Sequence, residues 1–415
     1  MQKLKTIIGK IFEIIGIISN KKNNQKDNSL DKRENKVIIS INKSLKATKK
    51  IRNPGIDFGR IISMVAIVIH HILYHGLAIK KFNQYKELKY LNIALYWHVN
   101  VFIFISGFVG HKTTKYSNLL YLWFCILFYT LGIKIYFSKY KPNLYKRKIE
   151  FNDFFPVINY QYWYFTAYFG MYLFLPVINK GIENIKKSQL KITILSFIIV
   201  FIVLQCYINP KLDLFQMNNG FSVIWHLTYY IIGSYFGKFQ RSDNDNKKAI
   251  KLLFYVFIYC SSTYFCIKLS YYQINNNINN QDLKDKIIIF LKSIFIMKYT
   301  SVGNILQSIS IILFLSNINY NKYISNIFSF IGPLTFGVYL VHDNNIVRYN
   351  IIRVLFKNYP KRLPLKTIIT IIMVKALKII GICLIIDYLR NILFCLLHIK
   401  YICILIEKLI NINIF

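Results

Sequence analysis

Acidic residues are scarce in this chain of 415 residues, which has 17 Asp and Glu against 54 Lys and Arg and a formal net charge of +37. On a soluble protein this excess of basic residues would suggest a nucleic-acid partner. Here the basic residues lie mainly between apolar segments and in the first 55 residues, where they are typical of loops that face anionic lipid. We therefore expect membrane lipids, and no nucleic acid, as partners of this charge.

Closely spaced cysteine pairs are absent as well. The seven cysteines form no C-x-x-C pair, and nearly all lie inside apolar segments, so we interpret them as small hydrophobic side chains. This pattern indicates neither a disulfide framework nor a cysteine-based metal site. We predict no bound metal ion.

Apolar segments, by contrast, are abundant. Hydrophobic residues make up 54% of the chain and form repeated segments of about 17–23 residues, the length that crosses a bilayer as a helix. Because backbone polar groups in lipid must be paired within the protein, such segments form helices. We predict an all-α, polytopic transmembrane bundle of about ten spans. The spans cover approximately residues 56–78, 94–112, 118–137, 161–179, 190–208, 222–238, 249–270, 302–318, 326–346 and 367–390.

The composition divides the chain into three parts. Residues 1–55 form a basic, largely disordered cytoplasmic tail, in which residues 5–18 have the pattern of a short amphipathic helix. Residues 56–396 form the transmembrane domain, and residues 397–415 form an apolar C-terminal tail. The difference in Lys and Arg content between alternate loops is modest and favours cytoplasmic N and C termini. We expect a multi-pass protein of the plasma membrane.

The first predicted span contains one arginine and several histidines. Ionisable residues inside a membrane span are costly and default to a functional role. Arg60 and His71 are eleven residues apart, close to three helical turns, so they lie on one face about 16 Å apart along the axis. His75 follows one turn later on that face, and His70 points elsewhere.

Two alternatives for this face stay open at the level of the residues alone. Arg60 could extend to the membrane interface while the histidines hydrogen-bond to neighbouring helices. His71 and His75 also have the i, i+4 spacing of a zinc-binding pair. No third metal ligand with suitable spacing is visible in the sequence.

The segment from Arg60 to His71 resembles the first helix of the acyltransferase family 3 membrane proteins, in which an arginine is followed after ten residues by a histidine. Three later segments are similar to that family's other motifs and occur in the same order. They are 99–108 ending in Ser106-Gly107-Phe108, the triplet Tyr162-Trp163-Tyr164 followed by Pro176, and 336–344 with Tyr339 and His342. The resemblance covers about residues 55–390 and is greatest to the polysaccharide O-acetyltransferase-like branch found in bacteria.

This resemblance implies transfer of an acetyl or other acyl group from acyl-coenzyme A, supplied from the cytoplasm, to a sugar hydroxyl. The acceptor would be a cell-envelope or capsular polysaccharide or its lipid-linked precursor. Acetyl-coenzyme A would be a co-substrate, so no cofactor stays bound. His71 would act as a general base or as an acyl-carrying nucleophile. Arg60 would bind a coenzyme phosphate or a developing negative charge.

The remaining site residues are also carried over from the resemblance. Lys112 and Lys115 occupy the place of the family's Arg-x-x-Arg motif and would bind coenzyme phosphates, although lysine lacks the bidentate fork of arginine. Trp163, Tyr339 and Ser106, together with His342, would bind the substrate. Their structural alternatives are an interface anchor for Trp163, a helix cap for the Tyr339 and His342 pair, and close helix packing for Ser106.

A transporter or flippase of glycan precursors is the alternative function. Such a protein is expected to have duplicated halves with helices broken at matching positions, and the sequence shows no such duplication. Gly233 and Gly237 form a small-x-x-x-small pair, which predicts a close helix-packing seam.

Overall fold

The computed structural model describes residues 52–112, 114–145, 149–159, 161–208, 213–239, 245–272, 283–296 and 298–414. Regular secondary structure in these ranges is helical, with no strand, which confirms the predicted all-α class. Most of the predicted N-terminal tail, including the amphipathic helix at residues 5–18, lies outside the described residues.

The helices are labelled in chain order. The first seven are α1 Pro54–Tyr74, α2 Ala78–Lys81, α3 Glu87–Leu95, α4 His98–Gly110, α5 Tyr116–Tyr140, α6 Trp163–Asn184 and α7 Lys187–Ile208. The others are α8 Val223–Phe239, α9 Asp245–Tyr271, α10 Leu283–Phe295, α11 Val302–Asn317, α12 Lys322–Ile331, α13 Thr335–His342, α14 Leu365–Leu396 and α15 Ile399–Ile414. Every predicted span overlaps one of these helices, and the span at 326–346 overlaps both α12 and α13.

Seven helical segments of the described ranges are long and apolar enough to cross a membrane: α1, α3 with α4, α5, α7, α9, α12 with α13, and α14. The prediction of about ten spans is therefore approximate. The three other predicted spans correspond to α6, α8 and α11. Of these, α8 has 17 residues and α11 has 16, and α6 contains Pro176.

The centre of the bundle is α1. Asn53 caps its first turn by accepting a hydrogen bond from the backbone N–H of Gly55 at 2.9 Å, and Pro54 suits the first helical position. α1 packs against α4, α11, α12 and α14. By contrast, α9 and α14 expose large apolar side chains such as Leu253 and Leu377, as expected of helices that face lipid.

The packing of α4 against α8 depends on glycines from both helices. A β-carbon on Gly233 would overlap the carbonyl of Phe104, and one on Gly237 would overlap the carbonyl of Phe108. Gly107 of α4 faces the backbone of α8 in the same way. The predicted small-residue seam is confirmed, and it fixes the position of α4.

The predicted apolar C-terminal tail forms α15. The end of α14 and the start of α15 are joined at His398, which has a left-handed φ of 51°. α15 then packs against α5. The tail thus contributes a helix to the bundle.

Candidate active site

A cavity lies beside the second half of α1. Met64, Ile67 and His71 line it from α1, and their spacing of three and four residues places them on one helical face. Most of the remaining wall is aromatic. The aromatic residues of the wall are Phe102, Trp163, Tyr164, Tyr299, Phe336 and Tyr339.

His71 is oriented by two residues that follow one another at the end of α13. Its Nδ1 lies 3.0 Å from Nε2 of His342 and 3.5 Å from Oδ1 of Asp343. Nδ1 of His342 lies 2.6 Å from the carbonyl oxygen of Val338. A carbonyl can only accept, so Nδ1 of a neutral His342 holds the proton and its Nε2 accepts from Nδ1–H of His71. The lone pair of neutral His71 is then on Nε2.

The carboxyl group of Asp343 is buried and lies close to His71 and Arg348. Besides His71, its Oδ1 lies 3.4 Å from Nε of Arg348. Nη2 of Arg348 donates to the Asp343 carbonyl at 3.2 Å and to Oδ1 of Asn345 at 2.6 Å. When it is ionised, this carboxylate is close enough to His71 to attract positive charge on the imidazole.

His71, His75 and Asp343 together form a group that could ligate a cation. One ligand atom from each residue lies within 4.8 Å of those of the others, and His₂Asp sets bind zinc in other proteins. Asp343 would be the third ligand of such a site. It lies far from the first span in sequence, so the spacing of residues within that span could not reveal it. Nδ1 of His71 is already within hydrogen-bond distance of His342. We therefore interpret His71, His75 and Asp343 as part of a hydrogen-bonded cluster and not as a metal site. The absence of a bound metal stays a prediction.

Arg60 and His71 share one face of α1, but only His71 lines the cavity. Arg60 lies one turn before Met64 on that face, and its guanidinium donates a short hydrogen bond to Asp57. Asp57 is almost fully buried and also lies 3.9 Å from Nε of Arg52. The spacing of three residues between Asp57 and Arg60 could have indicated this pair from the sequence.

The four residues expected to bind substrate lie in or next to the cavity. Trp163 and Tyr339 line it, and His342 lies behind His71. The hydroxyl of Ser106 donates to the carbonyl of Phe102 at 3.0 Å, so Ser106 is one turn away from a lining residue.

Lys112 and Lys115 lie at the opposite end of α4 from the cavity. Both are exposed, and the hydroxyl of Tyr172 donates to the Lys115 carbonyl at 2.8 Å. Since Gly59 of α1 faces Ile105 of α4, the lysines lie near the end at which α1 begins. Lys112 lies ten residues after Phe102, the last lining residue of α4, which is about 15 Å along the helix axis.

His98 is a cavity residue that the sequence interpretation missed. It begins α4, it is only 1% exposed, and it lines the cavity together with His71. Neither ring nitrogen has a hydrogen-bond partner among the described residues, and the same holds for the hydroxyl of Tyr339. An unpaired buried polar group costs about 1–3 kcal/mol. These groups are therefore suited to bind a polar ligand in the cavity.

Comparison with protein families gives one match for this region. A family model described as an acyltransferase domain matches residues 53–387. The match includes α1, the whole cavity wall and the lysines at the far end of α4. No curated protein and no solved structure matches the chain.

Proposed function

This chain belongs to acyltransferase family 3 and is a membrane-embedded O-acyltransferase, and we propose that it transfers an acetyl group from acetyl-coenzyme A to a glycan hydroxyl. The acceptor is a cell-envelope or capsular polysaccharide or its lipid-linked precursor. The observation on which the proposal depends is the position of His71, which lines a largely aromatic cavity and has its Nδ1 3.0 Å from Nε2 of His342. The alternative of a glycan flippase is set aside, because the family is one of enzymes.

In the proposed reaction Nε2 of His71 acts as the general base. It accepts the proton of the acceptor hydroxyl while the hydroxyl oxygen attacks the thioester carbonyl carbon. The carbon–sulfur bond then breaks, and the proton held by His71 passes to the departing thiolate. The products are the acetyl ester and free coenzyme A, and His71 is again neutral.

A covalent version of this reaction uses the same nitrogen. Nε2 of His71 would attack the thioester first, forming an acetyl-imidazole that the acceptor hydroxyl then cleaves. The two versions differ in whether coenzyme A is released before the acceptor binds. A burst of coenzyme A in the absence of acceptor would favour the covalent version.

His342 and Asp343 act as positioning residues for His71. The hydrogen bond from His71 to His342 keeps the lone pair on Nε2, and Asp343 stabilises the imidazolium that forms when Nε2 takes a proton. Both effects lower the barrier only if the cavity excludes bulk water. The burial of His342 and Asp343 supports this condition.

The walls of the cavity support a sugar as acceptor. The rings of Trp163 and Tyr299 are nearly parallel, with centroids 5.8 Å apart, and aromatic walls with a few polar groups are typical of sites for small, partly apolar ligands. His98 and the hydroxyl of Tyr339 can hydrogen-bond to sugar hydroxyls. This combination suits a ring that has both C–H faces and hydroxyl edges.

The donor is proposed to enter from the end at which α1 begins. Lys112 and Lys115 are exposed cations there and suit coenzyme phosphates, and Arg60 lies between them and the cavity. On this proposal that end faces the cytoplasm of the cell and the plasma membrane is the location, with both termini cytoplasmic.

The proposal is tested with the full-length protein in liposomes, supplied with radiolabelled acetyl-coenzyme A and cell-envelope glycan. We expect label in the glycan with the wild type and with His398→Asn, a control at an exposed histidine. We expect none with His71→Ala. Equal labelling by His71→Ala would contradict the role of His71, and labelling from other acyl donors alone would contradict acetyl as the transferred group.

A further inference from the structure

A second cavity lies at the end of the bundle at which α1 finishes. Tyr74 of α1, Lys89 and Tyr90 of α3, and Ser270 and Tyr271 of α9 contribute to its wall. Every polar side chain that lines it can donate a hydrogen bond, and none of the described lining residues has a carboxylate. Such a wall favours a ligand with negatively charged oxygens.

Asn92 provides a buried, unpaired donor in this second cavity. It is 1% exposed, and its Oδ1 accepts a hydrogen bond from Nδ1 of His70 at 2.7 Å. Its Nδ2 has no partner among the described residues. A buried amide N–H₂ without a partner is unfavourable, and a ligand oxygen that reached it from the cavity would satisfy it.

Two lysines add positive charge to the same cavity. Lys86 and Lys89 line it, and both side chains are exposed. The neighbouring loop after α13 is basic too, with Arg353, Lys357 and Lys361. If this end faces outward, as proposed above, its basic residues run against the usual preference of Lys and Arg for cytoplasmic loops. The preference for cytoplasmic loops therefore does not account for them, whereas an anionic ligand or anionic lipid headgroups would.

The second cavity is adjacent to the catalytic one. His70, which binds Asn92, has its ring centroid 5.1 Å from that of His98, a residue of the catalytic cavity. Its ring also lies 5.0 Å from that of Tyr74, a residue of the second cavity. The His70 side chain thus lies between the two cavities, so a ligand in the second cavity is held one side chain away from the catalytic cavity.

We propose that this second cavity binds an anionic sugar unit of the acceptor glycan, one with a carboxylate or phosphate group. Lys86 and Lys89 attract the charged group, and Nδ2 of Asn92 donates to one of its oxygens. The charged unit is thereby held beside the catalytic cavity, and another unit of the same glycan, which passes around the His70 side chain, presents a hydroxyl to His71. The inference rests on the proposed function, because it takes the acceptor to be a glycan.

The test uses full-length protein in lipid nanodiscs and an oligogalacturonate as the anionic probe, with its methyl ester as the neutral one. We expect the wild type to bind the anionic probe about tenfold more tightly, a difference of about 1.4 kcal/mol. K86Q/K89Q should lose this preference, and Asn92→Asp should weaken anion binding by repulsion while keeping the contact with His70. K139Q/K141Q, at exposed lysines that end α5, should keep the preference.

Several results would overturn the proposal. One is equal binding of both probes by the wild type. Another is an equal loss of the preference for the anionic probe in K86Q/K89Q and in K139Q/K141Q. A third is complete competition by vesicles of phosphatidylglycerol, which would assign the cavity to lipid headgroups. Acetyl transfer is measured in parallel with both acceptors. If K86Q/K89Q transfers acetyl with the same acceptor preference as the wild type, this inference is contradicted and the proposed function is not affected. Binding of the anionic probe without acetylation of any acceptor removes the proposed function instead.

Discussion

The protonation pattern of His71 is set by His342, a residue of the last third of the chain. His342 is fixed by the Val338 carbonyl, and it accepts from His71 at 3.0 Å. A single change at His342 would thus free the His71 ring and allow the other tautomer, with the lone pair directed away from the substrate.

We predict that His342→Ala lowers kcat by about 10- to 100-fold, the usual effect of losing a residue that orients a functional imidazole. The KM for acetyl-coenzyme A should change little, because His342 does not contact the proposed donor site. His342→Gln should retain more activity, since its amide oxygen can accept from Nδ1 of His71. Steady-state kinetics of the two variants test this, and equal losses in both would contradict the orienting role.

The group formed by His71, His75 and Asp343 gives a second prediction at the residue scale. We expect a chelator such as EDTA to leave acetyl transfer unchanged, and elemental analysis of purified protein to find less than one equivalent of zinc. His75→Asn should then retain most activity. Loss of activity on chelation, with recovery on addition of zinc, would assign the three residues to a metal site.

The sequence predicts the positions of some residues of the candidate site and not those of others. Arg60 and His71 share a face because eleven residues make nearly three turns, which spacing alone reveals. The contacts of His71 with His342 and Asp343 depend on how α13 packs against α1, and no local pattern contains that information. His98 lies inside the predicted span 94–112, so the cost of an ionisable residue within a span could have identified it, as it did the histidines of the first span.

At the scale of the helices, apolar length predicted most elements. The spans follow from runs that can only be helical in lipid, and the seam of α4 with α8 follows from the spacing of Gly233 and Gly237. The remaining three predicted spans differ in length or composition. α8 and α11 have only 17 and 16 residues, and α6 has 22 residues but includes Pro176 and a polar last turn.

The glycine seam gives a prediction about stability. Gly233→Leu should destabilise the protein by about 1–3 kcal/mol, because the side chain would overlap the Phe104 carbonyl and force α4 away from α8. Gly132→Ala and Gly181→Ala are matched controls, since nothing lies within 4 Å of an added β-carbon at either position. Thermal unfolding in detergent measures all three. A melting temperature of Gly233→Leu equal to that of the controls would contradict the seam.

At the scale of the whole molecule, charge and chemistry are separated along the bundle. Lys112, Lys115 and Arg60 lie towards the end at which α1 begins, the catalytic cavity lies beside its second half, and the basic second cavity lies at the other end. This order gives the donor and the acceptor separate approaches to His71.

This separation predicts distinct kinetic effects. Lys112→Gln combined with Lys115→Gln should raise the KM for acetyl-coenzyme A about tenfold, with little change in kcat or in the KM for glycan, because each lost phosphate contact weakens ground-state and transition-state binding alike. Lys186→Gln with Lys187→Gln, at exposed lysines between α6 and α7, is the control. An equal rise in the KM for acetyl-coenzyme A in both double variants would show that any loss of positive charge weakens binding, which would contradict a specific role of Lys112 and Lys115.

The most direct test of the account is the rate of acetyl transfer by His71→Ala at saturating acetyl-coenzyme A and glycan, in protein whose melting temperature equals that of the wild type. Loss of a general base or nucleophile predicts a rate lower by about 10²- to 10⁴-fold. A folded His71→Ala protein that transfers acetyl as fast as the wild type would contradict the central role of this histidine.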